Sequence, residues 1–189
     1  MELWDIYDKD KKRTGRTMKR NDWILQDGEY HLTVLGVVCR PDGRYLITKR
    51  VMTKAWAPGH WEVSGGAAQA GEESLDAAIR EVREETGLTL TDWEFRGIIT
   101  FMSDQFHTEY MFLYTSRSFC GELADCDEGV LEWVDKKAVY QLPIWKGDKI
   151  FFKLLDTSSD FFSLKLRYEG EELAEAILNG KEDMLSIVS

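Results

Sequence analysis

Residues 66–88 read GAAQAGEESLDAAIREVREETGL, and this stretch carries most of the information in the chain. It contains the spacing G-x5-E-x7-R-E-U-x-E-E-x-G-U, where U is a bulky apolar residue. At average residue frequencies, a chance match has a probability on the order of 10^-10 per starting position. The fixed positions are Gly66, Glu72, Arg80, Glu81, Val82, Glu84, Glu85, Gly87 and Leu88.

The segment 73–86 is predicted to be a helix, with about 100° of rotation per residue. Glu81, Glu84 and Glu85 are spaced i, i+3 and i+4, so their carboxylates fall on one face. Gly87 suits the stop position after the last turn. Small residues at 65–71 predict a loop whose backbone can approach a ligand closely. The apolar residues that fall on an adjoining arc and can pack on a sheet are Leu75, Ala78, Ile79 and Val82.

Three carboxylates on one turn repel one another by a few tenths of a kcal/mol per pair. A hard divalent cation removes this conflict, and ligands that are all oxygen atoms favour Mg²⁺ or Mn²⁺ over Zn²⁺. Arg80 precedes the cluster and can orient a carboxylate. The alternative is a solvated acidic helix face, but the longer pattern favours a metal site.

This pattern resembles the Nudix box, which is complete here. The resemblance implies an α/β fold, an α/β/α sandwich with a mixed central sheet. It further implies a hydrolase that uses bound Mg²⁺ or Mn²⁺ to cleave a diphosphate linkage in a nucleoside diphosphate derivative. Residue by residue, it assigns metal binding to Glu81, Glu84 and Glu85, with Gly65 beside them. Arg80 takes an orienting role in catalysis, and Gly66 a place in the substrate loop.

A carboxylate outside the helix often completes such sites as a base or a metal ligand. Glu128 is the predicted fourth acid, in a loop before a strand, and it shares the role of catalytic base with Glu85. Glu109 and Glu122 are alternatives for the fourth acid, and an exposed loop acid is the competing interpretation of Glu128.

Composition bounds the class of protein. The 189 residues suit one domain, 1–189, with an N-terminal extension at 1–29 and a C-terminal segment at 141–189. A hydrophobic fraction of 43% favours a globular chain over a disordered one. The net charge of -10 argues against nucleic-acid polymers and anionic membranes, whereas bound cations still permit a phosphate-bearing small molecule. The Nudix resemblance also allows a homodimer, on which the sequence is silent.

The three cysteines, Cys39, Cys120 and Cys126, form no C-x-x-C pair. We therefore expect reduced thiols rather than disulfides or zinc. The N-terminus shows no signal-peptide pattern, and no apolar run approaches the roughly 20 residues of a membrane span. These observations predict a cytoplasmic protein.

The remaining chain predicts alternating strands and helices. Strands are expected at 30–39, 44–49, 93–101, 109–119, 130–134 and 161–168, with a hairpin turn at 41–43. Helices are expected at 136–141, 148–156 and 171–178, so the C-terminal segment is predicted as helix, strand, helix. The polar extension 1–29 suggests a solvated hairpin or loop, in which one or two basic residues could instead contact phosphate.

The N-terminal third, with ELWDIYD and ITKR, resembles isopentenyl-diphosphate isomerase-like Nudix proteins. Those isomerases need a cysteine just ahead of the box, where this chain has Val63 and Ser64. A serine hydroxyl is far less acidic than a thiol. Isomerase chemistry is therefore the disfavoured alternative, beside a non-catalytic ligand-binding module.

The C-terminal third, with EGVLEWV, LPIWKGD and YEGEEL, resembles MutT-type nucleotide-sanitising diphosphatases. That resemblance implies that Trp145 stacks on a purine and that Asp148 hydrogen-bonds a base edge. Stacking on an aromatic ring is worth about 1–3 kcal/mol per base. The competing interpretations are a core aromatic and a first-turn helix acid.

Arg50, at the end of the second predicted strand, is a candidate phosphate contact. His60 and His107 are weaker polar candidates. The favoured substrate is a nucleoside triphosphate, with oxidised purines included, cleaved to monophosphate and pyrophosphate. A nucleotide sugar or dinucleotide comes second.

Overall fold

The computed structural model describes residues 2–53, 57–126 and 129–188. The strands are β1 (Leu3–Tyr7), β2 (Arg13–Lys19), β3 (Tyr30–Val38), β4 (Arg44–Arg50), β5 (Trp61–Glu62), β6 (Ser64–Ala67), β7 (Thr89–Leu90), β8 (Glu94–Ser103), β9 (Glu109–Ser116), β10 (Phe119–Cys120), β11 (Gly129–Asp135), β12 (Phe162–Glu169), β13 (Glu172–Leu178) and β14 (Glu182–Asp183). The helices are α1 (Ser74–Thr86), α2 (Lys136–Val139) and α3 (Lys146–Thr157), with a final 3-10 helix at Leu185–Ile187.

Within the described ranges, the strands form one large mixed sheet and two small sheets. The large sheet has the order β14-β13-β12-β8-β9-β3-β1-β2, and β6 pairs with β3 as a ninth strand. The pairs β3/β9 and β8/β12 are parallel, whereas the other pairs in this sheet are antiparallel. The small sheets are β11-β4-β5 and β10-β7.

Helices cover both faces of the large sheet. Leu32 and Val34 of β3 pack with Ala77 and Ala78 of α1. Val37, from the other set of alternate positions on β3, belongs to a separate core with α3. Because successive strand residues point to opposite faces, α1 and α3 lie on opposite sides of the sheet. This arrangement confirms the predicted α/β sandwich with a mixed central sheet.

The N-terminal extension forms a hairpin that lengthens the sheet. β1 pairs antiparallel with β2 and, through Ile6 and Tyr7, with the start of β3. Trp4, Ile6 and Met18 are buried together. The hairpin interpretation is therefore correct, but the segment contributes a small core of its own.

The predicted turn at 41–43 forms, although the strands around it separate. The Arg40 backbone N–H donates to the Arg44 carbonyl oxygen at 2.8 Å, and Cys39 pairs with Tyr45 in an isolated bridge. β3, before the turn, belongs to the large sheet, whereas β4, after it, belongs to the small sheet β11-β4-β5. The turn therefore connects these two sheets.

The predicted helix at 171–178 is wrong, because β13 occupies Glu172–Leu178 and pairs antiparallel with β12. Glu, Leu and Ala favour helices only weakly, and tertiary pairing overrides that preference. Gly170 takes a left-handed conformation (φ 59°) in the connecting turn, which lets the chain reverse. Buried Leu173, Ala176 and Leu178 then join the core beside α3.

Within the described part of the chain, we find no helix that combines the length and apolar character needed to cross a membrane.

Candidate active site

Helix α1 has a well-defined end that fixes the orientation of its acidic face. Gly87 takes φ 79° and donates its backbone N–H to the Arg83 carbonyl oxygen at 2.9 Å. Thr86 is fully buried, donates to the Val82 carbonyl at 2.6 Å and accepts from the Leu88 N–H at 3.1 Å. These bonds satisfy backbone groups that a helix end leaves open, so the last turn is held firmly.

Arg80 connects the carboxylates near the start of the acidic face. Its Nε and Nη2 bind the two oxygens of Glu72 at 2.8 and 2.9 Å. Its Nη1 donates to Glu81 at 2.7 Å and to Glu84 at 3.3 Å, while Nη2 also reaches the Ala67 carbonyl at 3.2 Å. Such bidentate, charge-assisted bonds fix geometry as well as charge. Arg80 therefore does orient two of the box carboxylates.

The pKa values of these carboxyls move in opposite directions. The hydrogen bond from Arg80 lowers the pKa of Glu72. Burial raises the pKa of Glu81, and this effect outweighs the attraction of Arg80. Of the three carboxylates that contact Arg80, Glu84 is the most exposed: 56% of its side chain is accessible, compared with 15% for Glu81. The acidic face thus grades from a buried carboxyl to a solvent-facing one.

The glycine strand β6 lies directly against this face. The Gly65 N–H donates to Glu85 Oε2 at 3.3 Å. A Cβ on Gly66 would lie 2.5 Å from the Glu81 carboxyl carbon, and one on Gly65 would lie 2.3 Å from the Val34 carbonyl oxygen. Glycine is therefore required at both positions because carboxylate and backbone approach so closely.

The acidic face of α1 fits a hard divalent cation, because every side-chain atom that it offers as a metal ligand is a carboxylate oxygen. In the described residues, however, we find no group of three or more His, Cys, Asp or Glu side chains already arranged to hold a metal ion. Arg80 instead forms ion pairs with Glu81 and Glu84 in this structure. Binding a cation therefore requires these side chains to reorient.

A cleft of about 850 Å³ opens beside the acidic face. Glu81, Glu84 and Glu85 line it, together with Gly65 and Gly66. Its floor is the face of the large sheet that carries Ile99, Phe101, Met111 and Leu166. This volume lies in the range of pockets that bind small molecules.

One end of the cleft is formed by the start of α3. Trp145 precedes the helix, stacks on His60 with ring centroids 5.0 Å apart, and meets the Tyr168 ring edge-on at 5.8 Å. Asp148 follows in the first turn and also lines the cleft. Trp145 and Asp148 therefore both line the cleft.

Asp148 carries the most perturbed carboxyl of the cleft. The residue is partly accessible, but protein atoms enclose its carboxyl group, and this enclosure governs its ionisation. Burial, helped by the negative charge of Glu62, raises the pKa of Asp148 to about 8. The carboxyl is thus largely protonated at neutral pH and can donate a hydrogen bond.

Arg50 also lines the cleft, where its Nη1 contacts Glu62 Oε1. Glu62, which no sequence motif singled out, combines this ion pair with its effect on Asp148. Its place three residues before the glycine pair could have indicated it. The preceding residue, Trp61, is buried in the core, and Trp133 packs against a second core.

The other proposed residues lie in different surroundings. Glu128 falls outside the described residues. Glu122 is exposed in the loop after β10, whereas Glu109 and His107 line the cleft. Burial raises the pKa of the Cys39 thiol, and the residues where the isomerases have their cysteine, Val63 and Ser64, are buried.

Comparison with known proteins gives consistent results. The sequence matches the family model described as the NUDIX domain over residues 29–155. It is 35% identical over 124 residues to an uncharacterised Nudix hydrolase, YvcI, of Bacillus subtilis, covering 63% of this chain and 75% of that protein. It is 30% identical over 158 residues to the oxidized purine nucleoside triphosphate hydrolase of Danio rerio, covering 81% and 97%.

Solved structures agree with this assignment. The crystal structure of a MutT protein from Bacillus halodurans superposes with a TM-score of 0.71 at 27% identity, covering 80% of this chain and 99% of that one. The family match spans more than half of the chain and includes the acidic helix and all of α3 except its last two residues. The chain therefore belongs to the Nudix family and is a Nudix pyrophosphohydrolase.

Proposed function

We propose that this protein hydrolyses purine nucleoside triphosphates, oxidised purines included, to the monophosphate and pyrophosphate with the help of Mg²⁺ or Mn²⁺. The observation that carries the proposal is one cleft that joins the acidic face of α1 to the Trp145/Asp148 end. The Danio rerio relative, named for oxidised purine nucleoside triphosphates, supports this substrate class.

In this proposal Glu81, Glu84 and Glu85 hold the cation, with Gly65 next to them. When bound, the cation polarises the phosphate and lowers the pKa of the attacking water. Arg80 positions Glu81 and Glu84 through the bonds described above. Gly66 leaves room for the carboxylates because it has no side chain.

Glu85 is the proposed base that takes the proton from water, with Glu128 as the alternative. The Gly65 N–H that binds Glu85 orients one of its oxygens. A base must lie within hydrogen-bond reach of the proton that it removes, and Glu85 lines the same cleft as the cation-binding face.

At the other end of the cleft, Trp145 stacks on the base and Asp148 donates a hydrogen bond to an acceptor on its edge. His60 supports the indole ring from one side. The raised pKa of Asp148 keeps this donor in place at neutral pH. Arg50, held by Glu62 at the cleft, is the proposed phosphate contact.

The test is incubation with a panel of nucleoside triphosphates, including 8-oxo-dGTP, in the presence of Mg²⁺. Pyrophosphate and monophosphate are the expected products. Glu84→Gln should lower kcat/KM by roughly 10²-fold, the usual size of losing one electrostatic partner of the transition state. Glu171→Gln, on an exposed turn, is the matched control. Thermal denaturation adds a second readout, because Mg²⁺ should raise the Tm of the wild type more than that of Glu84→Gln.

Full turnover by Glu84→Gln would refute the metal assignment. Release of inorganic phosphate alone, or no product from any triphosphate, would refute the substrate class.

A further inference from the structure

Helix α3 begins without a cap from its own sequence. Trp145 occupies the N-cap position, and its side chain makes no capping hydrogen bond. The first backbone N–H groups of a helix have no acceptor within the helix. Here the buried Gly147 N–H donates to the hydroxyl oxygen of Tyr168 at 2.8 Å. A side chain from β12 therefore supplies the cap that the helix itself lacks.

The Tyr168 side chain is held firmly by its surroundings. It is 5% exposed and belongs to the core that joins α3 to the large sheet. Its ring centroid lies 5.6 Å from that of Phe101, and the ring meets Trp145 edge-on at 5.8 Å. Burial raises the pKa of Tyr168, so the hydroxyl stays neutral at physiological pH. The hydroxyl is thus a fixed point from which α3 starts.

Gly147 allows the helix to approach this hydroxyl. A Cβ at position 147 would lie 2.5 Å from Leu166 Cδ1 and 2.9 Å from the Tyr168 hydroxyl oxygen. Any side chain here would therefore push the first turn away from the sheet. Gly147 stands between Trp145 and Asp148 in the same turn. One hydrogen bond consequently sets the position of both residues.

We propose that Tyr168 is a positioning residue for recognition of the base, and that it acts by holding Trp145 and Asp148 in place relative to the cleft. The inference rests on the proposed function for the base contacts of these two residues. A misplacement of about 1 Å can cost about 10²-fold in rate, so a single buried hydrogen bond in this position has a large effect on specificity.

A purely structural role for Tyr168 leads to a different expectation. Loss of a buried hydrogen bond destabilises the whole fold and affects all ligands alike. Loss of positioning instead weakens only the part of binding that comes from the base. A comparison of dGTP with an abasic deoxyribose triphosphate separates the two roles, because the abasic compound keeps the sugar and all three phosphates.

The experiment measures both affinities by calorimetry, with Ca²⁺ replacing Mg²⁺ and chromatography verifying that no turnover occurs. The base advantage is the Kd of the abasic compound divided by that of dGTP. In the wild type it should be about 10-fold or more, as expected for stacking on an aromatic ring. Tyr168→Phe keeps the ring and removes the hydroxyl, so it should reduce the base advantage to about 3-fold or less and leave the affinity for the abasic compound unchanged.

Tyr45→Phe is the matched control. Tyr45 is 3% exposed, donates to Asp156 Oδ1 at 2.6 Å in the last turn of α3, and does not line the cleft. The control removes a buried hydroxyl from the other end of the same helix, so it should lower Tm and keep the base advantage. Gly147→Ala disturbs the proposed contact from the helix side and should lower the base advantage as Tyr168→Phe does.

A base advantage that Tyr168→Phe retains, or that Tyr45→Phe loses to the same extent, would overturn the positioning role. Hydrolysis of dGTP by the wild type is measured separately with Mg²⁺. Loss of the base advantage in Tyr168→Phe alone, without any triphosphate turnover by the wild type, refutes only the proposed hydrolysis. A wild type that shows no base advantage refutes the base contacts of Trp145 and Asp148, and the positioning role with them.

Discussion

Replacing Asp148 with asparagine should stabilise the protein in a way that depends on pH. The pKa of Asp148 rises from its ordinary 3.8 to about 8 on folding. The native state therefore retains a proton between about pH 4 and pH 8 that the unfolded chain releases. Wild-type stability consequently falls as the pH rises through this window. Asparagine does not titrate, so the variant lacks this loss.

The size of the effect follows from the pKa difference. The pKa of Asp148 rises by about four units on folding, and each unit corresponds to 1.36 kcal/mol. The gain in unfolding free energy of the Asp148→Asn variant therefore has an upper limit of about 6 kcal/mol. The effective dielectric constant around buried groups in proteins is well above that of a dry interior, which reduces this value, so we expect a measured advantage of about 2 kcal/mol. The difference in unfolding free energy between Asp148→Asn and the wild type should be near zero at pH 4, increase up to pH 8 and remain constant above pH 8.

Urea denaturation of the metal-free protein at pH 5, 7 and 9 provides the assay. Asp160→Asn, at an exposed loop carboxyl, is the control and should show no such trend. Stability curves that run parallel for the wild type and Asp148→Asn would refute the reasoning. They would mean that Asp148 ionises normally in the folded protein.

Four further substitutions test the acidic face and its support. Gly66→Ala should displace Glu81 and lower kcat/KM by about 10²-fold, with little loss of stability. In Gly36→Ala the new methyl group would lie 2.4 Å from a core side chain, so this variant should lose about 1–3 kcal/mol of unfolding free energy. Equal effects of the two substitutions on Tm would contradict this difference. Thr86→Val leaves a buried N–H unsatisfied and should cost about 1–3 kcal/mol in urea denaturation. Arg80→Lys loses the bidentate pair and should weaken Mg²⁺ binding about 10–100-fold by calorimetry, so unchanged affinity would argue against its orienting role.

Prediction from the sequence was most accurate for features that depend only on local backbone geometry. The spacing of Glu81, Glu84 and Glu85 and the stop at Gly87 depend only on helical geometry, and α1 forms as expected. Strands β3, β8 and β12 also lie close to their predicted positions, whereas the predicted strand 109–119 ends at Ser116 and Phe119–Cys120 form a separate short strand. The family resemblance implied a mixed central sheet, but the order of its strands was not predicted, because long-range pairing leaves no local mark.

The errors arose where tertiary contacts outweigh local preference. β13 is rich in helix-forming residues, yet the open edge of β12 pairs with it. Trp4 and Trp23 stand in a polar segment, and only the fold brings them to His31. Glu62 gained its importance from Arg50 and Asp148, which are distant in sequence.

The contacts of Arg80 have a consequence for how the protein handles its cation. A guanidinium inside the protein offsets part of the charge of the neighbouring carboxylates without an added ion. A cation would be held by carboxylates that Arg80 both orients and partly neutralises, and this partial neutralisation moderates its affinity.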